Sequence, residues 1–205
     1  MRAAVAIFPG SNCDRDMAVA IKKITGKSPL KLWHKDTEAP NLDLIVIPGG
    51  FSFGDYLRCG ALAARSPIIK NIKNHISRGG ALLGVCNGFQ ILIEANILPG
   101  SLVRNKKLLF TCRETTLEVQ DSIQSPFLSS FNTGDCLNIP VAHNEGNYIA
   151  NNELLKELEN NGRIAFKYKK SSDGDPNLNA FNKAIGLAPM VKTSLKMPPT
   201  PVAAP

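Results

Sequence analysis

ALLGVCNGFQILIEAN, residues 81–96, joins a short apolar run to a helix-forming run through a cysteine with a glycine two residues away on each side. The run 81–85 predicts a buried strand, and residues 88–96 predict a helix. A strand that turns into a helix through Gly-x-Cys-x-Gly has the form of a nucleophile elbow, because glycines let neighbouring backbone pass close to the turn. The pattern therefore places Cys86 at the carboxyl end of a strand, where open α/β sheets carry their sites.

The residues before this elbow repeat the alternation of strand and helix. The predicted strands cover 3–8, 30–33 and 42–47; one predicted helix covers 15–25 with Asp14 as its cap, and a second begins at Pro67. Strands that alternate with helices predict a parallel sheet with helices on both faces. The carboxyl ends of these strands lead into the loops 9–13, 48–56 and 86–88, which we expect to meet at one edge of the sheet.

The second half of the chain has a different rhythm. Four apolar runs, 109–112, 115–119, 137–141 and 164–168, predict strands without long crossover helices between the first three, and residues 151–160 predict a helix. This predicts an antiparallel addition to an open, mostly parallel α/β sheet. We expect one domain over residues 1–182. Residues 183–205 form a Pro-rich tail that we expect to be disordered, because proline lacks the amide donor that helices and sheets need.

Composition excludes several classes of protein. The formal charge of +7 comes from 24 Lys and Arg against 17 Asp and Glu, but these residues are scattered and aromatic residues make up only 6%, so nucleic-acid binding is not predicted. No run approaches the roughly 20 apolar residues that cross a membrane. Five cysteines without CxxC spacing argue against a disulfide framework or a metal site. They favour a reducing compartment, so we expect a cytoplasmic protein.

The elbow predicts a thiol nucleophile. Cys86 lies at a helix N-terminus, where free amides and the helix dipole favour the thiolate, and the amide of Asn87 is placed to donate to a developing oxyanion. Gly50, in the loop 48–55, is a candidate second donor, since consecutive glycines let backbone amides face a ligand oxygen. This loop lacks the GxxxxGK[ST] form of a nucleotide-phosphate loop. The alternative for Cys86 is the usual fate of a free cysteine, a small buried apolar side chain.

A thiol nucleophile needs a base and a group that orients the base. The chain has three histidines. His75 lies in a polar stretch that predicts exposure to solvent, and His34 reads as a loop residue. His143 lies just beyond a predicted strand, two residues before Glu145, and is the candidate of most interest.

Several motifs together resemble the glutaminase subunits of phosphoribosylformylglycinamidine synthases. The shared blocks lie within residues 3–168 and are FPGSNCD (8–14), WHKD (33–36), PGGFSFGDY (48–56), RCGA (58–61), GVCNGFQ (84–90) and AHNEG (142–146). The resemblance implies a class I, triad-type glutamine amidotransferase with a flavodoxin-like fold. It implies that Cys86 attacks the glutamine side-chain amide and that the ammonia passes to a large synthetase subunit, which uses ATP and Mg to make formylglycinamidine ribonucleotide. It also implies a small assembly subunit, and no cofactor in this chain.

The sequence departs from that family at its end. Members carry a Pro-His-Pro-Glu segment that supplies the triad base and acid, whereas no histidine or glutamate follows Glu159 here. The tail resembles a different reading frame or a diverged end. His143 and Glu145 have the His-x-Glu spacing of the missing pair and are candidate substitutes, although they align with a different loop of the family.

Three functional readings remain open from sequence. The chain is an active glutaminase subunit with an unusual base; or it is an impaired homologue that at most binds glutamine or the synthetase, because loss of a general base typically costs 10²–10⁴-fold in rate; or it is another hydrolase or a chaperone-like protein with the same elbow.

Overall fold

The computed structural model describes residues 1–120 and 125–169, and the backbone of residues 185–187. Four parallel strands carry the elbow: β1 (Ala3–Ile7), β2 (Leu30–Trp33), β3 (Leu44–Ile47) and β4 (Ala81–Gly84). Their order is β2-β1-β3-β4, with every neighbouring pair parallel. This confirms the parallel sheet predicted from the first hundred residues.

Three helices follow strands of this sheet, and a fourth lies in the second half of the chain. They are α1 (Asp14–Thr25), α2 (Ile68–Ser77), α3 (Asn87–Glu94) and α4 (Asn152–Asn160). The predicted cap of α1 was wrong: Cys13 occupies the N-cap, no side chain caps it, and Asp14 is the first helical residue. At α4 the side chain of Asn151 does cap the helix, accepting from the amide of Leu154 at 2.8 Å.

The parallel sheet is covered on both faces, because successive side chains of a strand point to opposite sides. Val5 and Val46 pack with Ile21 of α1 on one face. On the other face the neighbouring strand residues join a larger core that includes Ile72 of α2 and Leu92 of α3. Helices therefore lie on both faces, as predicted.

The antiparallel strands form a sheet of their own. It contains β6 (Thr111–Val119), β7 (Cys136–His143), β9 (Ile164–Tyr168) and β10 (Ile185–Leu187), in the order β10-β9-β6-β7. The two strands predicted over 109–119 are in fact the single strand β6. A further antiparallel pair, β5 (Ser101–Val103) with β8 (Asn147–Ile149), was not predicted. The α/β class with antiparallel strands is confirmed.

The strand β10 falls inside the predicted Pro-rich tail 183–205. The other residues of that tail, and the end of the predicted domain from 170 to 182, lie outside the described residues. Within the part of the chain that the structure describes, no helix is long and apolar enough to cross a membrane.

Candidate active site

Cys86 occupies a strained turn between β4 and α3. Its backbone has φ 52° and ψ −112°, in the positive-φ region that side-chain-bearing residues rarely adopt. The residue is exposed, at the carboxyl end of the sheet. The strained elbow that the sequence predicted is thus present.

The glycines that flank the elbow are required by close packing. A Cβ at Gly88 would lie 2.1 Å from the backbone oxygen of Ile47 in β3. A Cβ at Gly84 would lie 2.6 Å from the side chain of Leu92 and 2.9 Å from the oxygen of Gly88. Helix α3 can therefore start directly above the sheet only because both positions lack a side chain.

The structure brings Gly50 and Asn87 to the thiol. The backbone amides of both residues donate hydrogen bonds to the sulfur of Cys86. Gly50 has φ +137°, and a Cβ there would lie 2.6 Å from Asn12 Oδ1, so this loop is pressed against the loop that follows β1. The two amides approach one atom from two elements, Gly50 from the loop after β3 and Asn87 from the first residue of α3.

The pKa of the Cys86 thiol is raised above its ordinary value, opposite to the direction expected from the helix N-terminus. Burial is the largest cause, and Cys13 and Asp55 raise the pKa further, while the amides of Asn87 and Gly50 lower it. A raised pKa means that the resting group is the neutral thiol, so attack on a substrate needs a base.

The Asn87 side chain is buried and joins the elbow to the neighbouring loop. Its Oδ1 accepts from the amide of Ser52 at 3.1 Å. Its Nδ2 donates to Asp55 Oδ1 at 3.0 Å and to Gln90 Oε1 at 2.9 Å. Only 1% of Asn87 is exposed, so these bonds form away from competing water.

Two carboxylates and a thiol continue this network. Glu145 Oε2 accepts from the amide of Cys59 at 3.0 Å, and the Cys59 thiol donates to both Glu145 and Asp55. Burial raises the pKa of Asp55, and the charge of Glu145 adds to the rise, while hydrogen bonds from Cys59 and Asn87 oppose it. The pKa of Cys59 is also raised, first by burial and then by the two carboxylates. Gln90 Nε2 donates to the backbone oxygen of Glu145 at 3.0 Å and closes the network onto α3.

His143 lies at the end of β7 and is held by Asn105. Its Nδ1 donates to Asn105 Oδ1 at 3.0 Å, and Asn105 Nδ2 donates back to the oxygen of His143 at 2.8 Å. The imidazole also packs over Gly146, where a Cβ would lie 2.2 Å from the ring. The structure therefore ties His143 to the loop after β5 and ties Glu145 to the loop after β3.

The other two histidines are structural. His75 is only 3% exposed, and its Nε2 donates to the oxygen of Ala81 at 2.8 Å, so the predicted exposure to solvent was wrong. It joins α2 to β4, and Gly80 leaves room for its ring. His34 is buried beneath the loop that carries Gly50, edge-on to Phe53 at 5.3 Å between ring centroids. Burial lowers the pKa of both histidines.

Two other features lie apart from the elbow. Within residues 1–120 and 125–169, no group of three or more His, Cys, Asp or Glu side chains could hold a metal ion. A cavity of about 760 Å³ lies beside α2 and is lined in part by Arg65, Lys70 and Lys73. It does not include the residues around Cys86, and its basic lining has no role in the chemistry of the thiol.

The family can be assigned from comparison with known proteins. Residues 1–182 match the family described as CobB/CobQ-like glutamine amidotransferase domain. The chain belongs to this family. A Zymomonas mobilis relative, phosphoribosylformylglycinamidine synthase subunit PurQ, is 50% identical to this glutamine amidotransferase over 195 residues, which is 92% of this chain and 88% of the relative. The subunit of the same name from Rhizobium meliloti is 48% identical over 196 residues, 92% of this chain and 87% of the relative.

A solved structure supports the same assignment. A structure of PurLQS from Thermotoga maritima has a TM-score of 0.74 and 37% sequence identity to this glutamine amidotransferase. The similarity covers 92% of this chain and 86% of the other. The resemblance that the sequence motifs indicated is confirmed.

Sequence reasoning missed part of this glutamine amidotransferase site. Asp55, Cys59 and Gln90 lie inside blocks that the sequence analysis quoted, yet no role was given to them. The thiol of Cys59 in fact contacts two carboxylates, those of Glu145 and Asp55. Its position four residues after Asp55, in a loop that faces the elbow, was the available signal.

Proposed function

We propose that this chain is the glutaminase subunit of a phosphoribosylformylglycinamidine synthase. It hydrolyses glutamine to glutamate and supplies ammonia to a synthetase subunit that makes formylglycinamidine ribonucleotide in de novo purine biosynthesis. The observation that carries the proposal is the convergence of the Gly50 and Asn87 amides on the thiol of Cys86 at a strained elbow. The curated relatives and the PurLQS structure support the choice of pathway.

The chemistry follows from this geometry. The sulfur of Cys86, once deprotonated, attacks the side-chain amide carbon of glutamine, and the carbonyl oxygen becomes an oxyanion that accepts hydrogen bonds from Gly50 and Asn87. Each such donor is worth about 10²–10³ in rate. The C–N bond then breaks as the nitrogen takes a proton, ammonia leaves, and a thioester remains on Cys86. Water adds to the thioester, the C–S bond breaks, and glutamate leaves with the thiol restored.

This scheme also needs a base that deprotonates Cys86. His143 remains our proposed substitute for the family histidine, and its Nδ1 donates to Asn105 Oδ1, so Asn105 orients the ring. Glu145, the expected acid, has its carboxylate bonded to the amide and the thiol of Cys59, which supports a structural role for it.

The partners follow from the same proposal. Glutamine is the substrate, a large synthetase subunit takes the ammonia, and a small subunit assists assembly. ATP and Mg serve the synthetase, and this chain holds no cofactor. Five free cysteines support the cytoplasm as the location.

Ammonia release from glutamine tests the proposal, measured with the synthetase subunit and its substrates present. We expect turnover by this chain and a loss of at least about 10³-fold in the Cys86→Ala variant, because the nucleophile is gone. Equal rates for the two proteins would contradict the proposal and favour an impaired homologue. Where turnover is seen, the His143→Ala variant tests the base: retained turnover would exclude His143.

A further inference from the structure

The Asn87 side chain has a position that the reaction itself does not explain. Its backbone amide is one of the two donors to the Cys86 sulfur, and its side chain accepts from the amide of Ser52, two residues beyond the other donor, Gly50. One residue therefore touches both halves of the oxyanion site. The hydroxyl of Ser52 is buried without a hydrogen-bond partner in the described part of the chain, so Ser52 is linked to Asn87 through its amide alone.

We propose that Asn87 is a positioning residue whose side chain sets the distance between the elbow and the Gly50 loop, so that both amides reach the same oxygen atom. This rests on the proposed function, since it assigns the oxyanion site of that same chemistry.

The loop that Asn87 holds would not keep this shape by itself. Phe53, Gly54, Asp55 and Leu57 all have positive φ, between 54° and 70°, and three of them carry side chains. Such backbone persists only when surrounding contacts over-determine it. Asn87 supplies two of those contacts, at Ser52 and Asp55, from a site that excludes water.

The amide group suits this task better than the alternatives. An asparagine side chain offers an acceptor and two donor hydrogens on one rigid plane, and here both ends are used: Oδ1 toward the Ser52 amide, Nδ2 toward Asp55 and Gln90. A carboxylate in its place would still accept from the Ser52 amide, but it would lose both donor contacts and face the Asp55 carboxylate. Asn87→Asp thus breaks the contact with Asp55, one of the two by which Asn87 holds this loop, while nearly preserving shape.

Two reagents separate oxyanion alignment from thiol reactivity. The chloromethyl ketone analogue of glutamine places a carbonyl oxygen at the two amides while the Cys86 sulfur bonds to the methylene carbon and chloride leaves. Iodoacetamide alkylates the same sulfur, with iodide leaving, and needs no aligned donors. The ratio of the two rates at Cys86, followed by peptide mass spectrometry, therefore reports alignment even in a chain that lacks an effective base.

We expect the ratio to fall about tenfold to hundredfold in Asn87→Asp, because a misplacement near 1 Å can cost about 10²-fold. The iodoacetamide rate corrects for any change in the thiol pKa. Asn71→Asp is the matched control, since Asn71 Nδ2 also links two segments, to the oxygen of Asp36 at 3.2 Å, but holds neither donor. Its ratio should stay within about twofold of the parent.

An unchanged ratio in Asn87→Asp, or an equal fall in Asn71→Asp, would overturn the proposal. If Asn87→Asp does not fold, Asp55→Ala serves as the test variant, because it removes one acceptor of the Asn87 amide. We expect the ratio of the two rates to fall there as well, by a smaller factor. No change there would also overturn it. The alkylation ratio does not depend on turnover of glutamine, so a negative ammonia assay would contradict the proposed function without deciding the role of Asn87.

Discussion

At the scale of single residues, the pKa of the Cys86 thiol is set by groups that act in opposite directions on one sulfur atom. Burial, Cys13 and Asp55 raise its pKa, and two backbone amides lower it. The sequence could predict the amides, because they follow from the elbow and the glycine loop. It could not predict Asp55 as a neighbour, because that contact depends on a run of positive-φ residues whose path no local rule specifies.

The charge of Asp55 gives a residue-scale prediction. Because a nearby negative charge disfavours the thiolate, Asp55→Asn should lower the pKa of Cys86. The rate of iodoacetamide alkylation at Cys86 should then rise at neutral pH, and its pH profile should shift to lower pH.

The pH profile of alkylation at Cys86 depends on the groups that face its thiol. They are Cys13 and Asp55, together with the amides of Asn87 and Gly50. Asp135→Asn, in the loop before β7 where Asp135 accepts from the amide of Asn132, is a control that should leave the profile unchanged. A shift to higher pH in Asp55→Asn would contradict the prediction, because it would mean that the Asp55 carboxylate does not disfavour the thiolate.

At the scale of elements, charged residues in mid-strand explain the main error of the sequence reading. Arg113 and Glu114 divided one apolar run into two predicted strands. In the structure they lie within β6, which pairs with β7 over eight residue pairs. An antiparallel strand needs only one buried face, so Glu114 fits the exposed face of β6, while Arg113 lies half-buried on the opposite face. The pair β5 and β8 was missed because three residues are too few to show alternation.

The contact between α3 and β3 gives the element-scale prediction. Ala in place of Gly usually stabilises a helix by about 0.5–1 kcal/mol. At Gly88 the added Cβ would lie 2.1 Å from the Ile47 oxygen, and overpacking of this kind costs about 1–3 kcal/mol. We therefore expect Gly88→Ala to lower the free energy of unfolding, measured by urea titration. A gain in stability would mean that the helix can shift away from the sheet without strain.

At the scale of the whole molecule, stability should depend on pH through its buried histidines. The pKa of His75 is lowered from 6.5, by burial first and then by Arg78, while the Ala81 carbonyl and Asp43 oppose the shift. The unfolded chain therefore binds a proton at a higher pH than the folded one. The contribution of His75 is full above about pH 6.5 and is lost as pH falls toward its folded pKa.

We expect the free energy of unfolding to decrease between about pH 7 and pH 5.5, and to decrease less in His75→Gln. Glutamine can still donate to the Ala81 oxygen but does not titrate. The lowered pKa of His34 gives the remaining slope in this window, and the raised pKa of Asp55 acts with opposite sign at more acidic pH. Urea titrations of both proteins across this range measure the difference, and parallel curves would assign the slope to other groups.

The bond between Cys59 and Glu145 spans 86 positions of the chain. On a ribosome the strands of the parallel sheet, all within the first 84 residues, emerge well before residue 145 does. At about 5–20 residues per second the elbow is made several seconds before the carboxylate that braces its neighbouring loop. The nascent chain therefore carries every strand of the parallel sheet and a Cys59 loop without its brace for a period on the scale of seconds, and the site is finished only late in translation.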